Sequence, residues 1–191
     1  FKGQQLAGKT NEDVNYLRIQ SSEAHVVPSE DIMYIFTNLV RLEMKGVSVK
    51  KLDPIVNCYS LDLIILSNNE ISSLDAGVFI ECEKLETLDL SHNEIGKINE
   101  NAFSSLKVLK EINLSFNYIK HLSRKIIKPM KNLRKLSLNT NHIRDLPHDT
   151  FNDLFELIEL DLSNNPLNRI DFRAFDYTCL LYTSPSPRDR Q

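Results

Sequence analysis

The eleven residues Leu85–Ile95 read LETLDLSHNEI, and the same pattern stands at four other places in the chain. Equivalent segments begin at Leu61 (LDLIILSNNEI), Leu109 (LKEINLSFNYI), Leu133 (LRKLSLNTNHI) and Leu157 (LIELDLSNNPL), each 24 residues from its neighbour. Counted from each starting leucine, position four is Ile64, Leu88, Ile112, Leu136 and Leu160, and position six is Leu66, Leu90, Leu114, Leu138 and Leu162. Position nine is always asparagine: Asn69, Asn93, Asn117, Asn141 and Asn165. Position fourteen is aliphatic, and position nineteen is Phe79, Phe103, Ile127, Phe151 and Phe175. A fixed period of this kind marks a repeat architecture, in which each unit is one supersecondary element stacked on the next.

The alternation at positions four to six has period two. Each repeat therefore reads as a short strand with positions four and six inward and positions three and five outward. One such strand cannot bury itself, but stacked repeats form a parallel sheet over a continuous leucine core. The asparagine falls where the chain leaves the strand and its peptide groups lose their partners. An amide side chain both donates and accepts, so a stack of asparagines at position nine can satisfy those groups.

The pattern L-x-x-L-x-L-x-x-N-x-I resembles the leucine-rich repeat (LRR) family. The resemblance implies an α/β fold: an LRR solenoid bent into a horseshoe arc, with a parallel β-sheet on its concave face. Two divergent repeats precede the regular ones, from Val14 (with Ser22 at the asparagine position) and from Leu39 (with Val47 there). The array is expected over residues 14–178, with 1–13 as a partial N-terminal cap or lead-in. Residues 179–191, CLLYTSPSPRDRQ, resemble a translated sequencing adapter and are set aside as non-native. The chain opens on Phe1 without a signal peptide, and reads as a fragment.

Composition agrees with a periodic demand for two residue types: 27 Leu and 18 Asn among 191 residues, against 5 Gly and no Trp. A net charge of −3 argues against a nucleic-acid partner held by phosphate neutralisation. No apolar run reaches the roughly 18–20 residues of a membrane helix, so no membrane contact is expected within these residues. Nothing resembles a phosphate-binding glycine loop. The histidines, His25, His92, His121, His142 and His148, fall at unrelated phases of the repeat and are not expected to converge. The expectation is a chain that is not an enzyme and carries no cofactor and no metal.

Cys58 and Cys82 each stand three residues before a repeat start, where Leu106, Met130 and Leu154 stand elsewhere. Two readings stay open: small buried hydrophobes, or a disulfide between adjacent repeats in a secreted protein. Asn113-Leu114-Ser115 is an N-glycosylation sequon on the outward face of a strand. The 24-residue period with Phe at nineteen resembles the typical extracellular LRR subclass, including insect Toll-type receptors, adhesion proteins and secreted immune factors. That resemblance implies an extracellular location and a protein ligand or co-receptor. The alternatives are an intracellular LRR scaffold, with free thiols, and an accessory array of a larger enzyme.

Binding in such arrays belongs to exposed, variable positions on the repeated scaffold. At positions three and five the candidates are Tyr16, Arg41, Leu63, Ile65, Asp89, Glu111, Lys135 and Asp161; position eight adds His92 and Phe116. Leu63 and Ile65 are apolar where solvent is expected, which can mark a contact surface. The stretch Lys120 to Lys135 holds seven Lys and Arg residues and no acid, so it suits an anionic glycan or else a solvated face.

Overall fold

The structure, a computed structural model, describes residues 10–20 and 30–175. Nine strands follow one another in these residues: β1 (Tyr16–Gln20), β2 (Arg41–Lys45), β3 (Leu63–Ile65), β4 (Ser73–Leu74), β5 (Thr87–Asp89), β6 (Lys97–Ile98), β7 (Glu111–Asn113), β8 (Lys135–Ser137) and β9 (Glu159–Asp161). Seven of them make one sheet in the order β1-β2-β3-β5-β7-β8-β9, and β4 pairs with β6 in a second, two-stranded sheet. Every pairing is parallel. This is the LRR solenoid that the period predicts. Helix is sparse among the described residues, limited to α1 (Glu30–Ile35), α2 (Arg124–Ile127) and two short 3-10 turns.

The register keeps repeat positions in line. Position three runs Tyr16, Arg41, Leu63, Thr87, Glu111, Lys135, Glu159 across the sheet. Position four makes the inward row, and Leu42, Ile64, Leu88, Ile112 and Leu136 are buried in the continuous core. At position nineteen, Phe79 stacks on Phe103 at 6.1 Å and Phe151 on Phe175 at 5.6 Å. Ile127, at the end of α2, interrupts that column.

The asparagines bind each turn to the one before it. Asn117 accepts from the Ile95 amide at 2.9 Å and donates to the carbonyls of Leu90 and Leu114 at 3.0 and 3.1 Å. Asn93, Asn141 and Asn165 repeat the arrangement. Asn69 closes the ladder at its N-terminal end, accepting from both Val47 and Val49 amides at 3.1 Å. The sequence implies a looser N-terminal end where the asparagines stop. Val47 is wholly buried there, and β1 pairs with β2 over five residues where later strands pair over three. Longer backbone pairing thus accompanies the loss of the amide rung. Ser22 lies outside the described residues, as do 1–9 and the tail.

Candidate functional site: the concave sheet and the strand exits

On the concave face, Arg41, Glu111 and Lys135 are held in ion pairs, as are the neighbouring Arg18 and Glu43. Glu43 accepts from Arg18 Nε at 2.6 Å and from the Tyr16 hydroxyl at 2.8 Å, and the Arg18 guanidinium sits 5.3 Å from the Tyr16 ring centre. Those contacts, the Arg18 hydrogen bond foremost, hold the Glu43 carboxyl below its ordinary range although burial opposes them. Arg41 lies 3.7 Å from Asp62, and Lys135 bridges Glu111 at 3.9 Å and Glu159 at 3.5 Å.

Position five is put to local use. Asp89 accepts from the Ser91 amide at 2.9 Å, and Asp161 does the same for Ser163 at 2.9 Å. Asn113 accepts from Ser115 through the amide at 3.0 Å and the hydroxyl at 2.7 Å. These contacts shape the turn after each strand. The amide nitrogen of Asn113, the atom a glycan would occupy, has no hydrogen-bond partner among the described residues. Leu63 and Ile65 are half-buried rather than open, lying in register between Arg41 and Thr87 and between Glu43 and Asp89. Rows about 4.8 Å apart let flanking side chains cover them.

The strand exits are different. Position eight has left-handed backbone in every described turn from β2 onward: Gly46, Asn68, His92, Phe116, Thr140 and Asn164 have φ between 53° and 65°. The turn carries the chain out of the strand so that the next residue, the ladder asparagine, points inward. Glycine and asparagine accept this conformation; a phenylalanine or a β-branched threonine is strained in it, at about 1–3 kcal/mol each. His92 and Phe116 stack face to face, centroids 4.1 Å apart. Two positions further on, Tyr118 and His142 stack at 5.5 Å. Phe116 and Tyr118 remain 44% and 53% exposed. Tyr118, His142 and Thr140 were not among the sequence candidates. Position ten lies two residues from position eight and shares its outward phase, so its aromatic residues were the available signal.

Phe116, Tyr118, Thr140 and His142 line a depression of about 560 Å³ with Asn164 and Pro166. His142 and Pro166 also line an adjoining depression of about 420 Å³, with Lys120, His121, Arg144 and Asp145. The histidines therefore converge more than their phases imply: His121 and His142 share a depression because neighbouring turns bring positions ten and thirteen together. Among the described residues no group of three or more His, Cys, Asp or Glu could hold a metal ion.

The basic stretch is divided. Arg124 is paired with Asp153 at 2.5 Å and Asp149 at 3.5 Å, Lys125 with Glu100 at 3.1 Å, and Arg134 with Glu156 at 3.9 Å. Lys128 and Lys131, without an ion pair among the described residues, line a separate depression of about 420 Å³ together with Lys107. Cys58 and Cys82 are fully buried and joined in a disulfide that links adjacent turns.

The leucine rich repeat family matches residues 59–119, 84–142 and 131–178, more than half of the chain. The chain belongs to the leucine-rich repeat family. No match is found among curated proteins. Among solved structures, this LRR chain is similar to the "Crystal structure of TLR13-ssRNA13 complex", at 29% identity and a TM-score of 0.74. The match covers 90% of this chain and 24% of that one. That structure is of a complex with a single-stranded RNA.

Proposed function

We propose that this LRR chain serves an extracellular protein (a receptor ectodomain, adhesion protein or secreted innate-immunity factor) that binds a protein ligand or co-receptor through exposed solenoid side chains. The observation that carries the reading is the half-exposed aromatic surface at the strand exits, set on a hydrogen-bonded scaffold. The Cys58–Cys82 disulfide supports an oxidising compartment. The reading contains no catalytic step. An anionic glycan contact, where one forms, falls to Lys107, Lys128 and Lys131, which make no ion pair among the described residues.

Secretion of the chain from eukaryotic cells, followed by non-reducing peptide mapping, tests the compartment. A disulfide-linked Cys58–Cys82 peptide and a glycan mass on Asn113 are expected. Two free thiols in natively expressed protein would favour the intracellular scaffold, and a catalytic domain in the full transcript would favour the accessory array.

A further inference from the structure

We infer that the two adjoining depressions at the strand exits form one trough that takes an extended acidic segment of a partner protein, with a proline or aromatic residue seated on the ring shelf. The inference rests on the protein-binding reading above and specifies its site and the chemistry of its ligand.

The trough is apolar at one end. Phe116 and Tyr118 are exposed large hydrophobic side chains, and Pro166 extends the same surface. Phe116 occupies left-handed backbone at a position where three other turns place Gly46, Asn68 and Asn164, as does Thr140 beside it; His92 holds the remaining one. Strain held by residues that the fold does not require at that position points to a use outside the fold. The other end is basic. Lys120 and Arg144 line it with His121, and neither has an ion-pair partner among the described residues, whereas Arg124, Lys125, Arg134 and Lys135 do. The acid at that end, Asp145, accepts from Asn168 at 3.4 Å. An apolar shelf running into unpaired cations complements a carboxylate-bearing peptide.

Single-stranded nucleic acid is the rival that carries the same charge. It binds by stacking bases on free ring faces within a basic channel. Here His92 covers a face of Phe116 and His142 a face of Tyr118. The peptide is the better fit.

The test uses a short synthetic peptide with aspartates and glutamates on both sides of a proline–tyrosine core, its Asn/Gln counterpart, and a uridine oligonucleotide. Each is titrated into the isotope-labelled chain while ring and amide resonances are followed. The acidic peptide is expected to shift His92, Phe116, Tyr118 and His142 together, and to bind at least about tenfold more tightly than the neutral one. Lys120→Glu with Arg144→Glu should abolish the shifts. Phe116→Asn, which installs the residue found at 68 and 164, should keep the fold and weaken binding. No shift at about 1 mM acidic peptide, equal binding of the neutral peptide, shifts confined to the concave sheet, or preferential binding of the oligonucleotide would each overturn the inference. Those results leave the Cys58–Cys82 and Asn113 mapping untouched, so a failure here is separable from a failure of the extracellular reading.

Discussion

Phe116 stacks on His92 at 4.1 Å while both residues sit on left-handed backbone, with φ of 55° and 53°. The pair joins two effects of opposite sign. The conformation costs each residue, phenylalanine more than histidine, whereas a stacked ring pair recovers about 0.5–1.5 kcal/mol. The stack lies on the surface, so it adds little to the core that holds the solenoid together.

Replacing Phe116 by Asn should therefore leave stability unchanged or raise it by up to about 1 kcal/mol, because strain relief and the lost stack nearly cancel. Thr140→Asn loses no ring contact and should gain about 1 kcal/mol or slightly more. Urea midpoints with an unchanged m-value read both effects. A loss beyond about 1 kcal/mol in Phe116→Asn would make the aromatic pair a structural element and remove the strain argument for its use in binding.

Asn117→Ala cuts four buried hydrogen bonds in the middle of the ladder, leaving the Ile95 amide without its acceptor, while the carbonyls of Leu90 and Leu114 keep Asn93 and Asn141. The expected cost is about 1–3 kcal/mol by thermal or urea melt. Hydrogen exchange at Ile95 should quicken with it, while exchange at β1 and β2 stays as it was. A melt with no loss would sink the ladder's role in stability.

Acid should loosen the array at two separate places. Glu43, hydrogen-bonded by Arg18, and Asp153, hydrogen-bonded by Arg124, have their pKa values lowered in the folded state. A depressed carboxylate adds stability that is present above its unfolded pKa, near 4, and that is lost as pH falls through the folded value. Urea midpoints should fall between about pH 5 and about pH 3. Glu43→Gln combined with Asp153→Asn should be less stable at neutral pH and show a shallower decline. Both pairs are partly exposed, so salt should weaken the effect.

Much of this molecule is legible in its sequence, for a physical reason. Leu88 and Asn93 each repeat a role set by geometry that recurs every 24 residues, so their positions alone report strand, core and ladder. The surface follows no such rule. Nothing in the spacing says that Lys135 is bound to Glu111 and Glu159, that Asp89 is turned to the Ser91 amide, or that Arg124 is paired with Asp153 while Lys128 has no ion pair among the described residues. Those outcomes depend on side-chain reach between turns. Tyr118 and His142 were readable in principle, since they share position ten, but only once position eight was known to turn outward.

The disulfide gives the sharpest separation between fold and compartment. Cys58 and Cys82 close a loop with a sequence separation of 24. Cross-links of that span contribute about 2–4 kcal/mol, chiefly by restricting the unfolded chain. Cys58→Ala with Cys82→Ala should lower stability by that order and by slightly more, because two small cavities open among fully buried side chains. Reductant should lower the melting temperature of the parent chain and leave that of the double variant unchanged. The core around the two cysteines holds leucine, methionine and valine, so the reduced chain should still fold, with the register of β2, β3 and β5 intact. A parent chain whose melting is indifferent to reductant after secretion would show that the sulfurs remain thiols, and the case for an extracellular setting would lose its structural support.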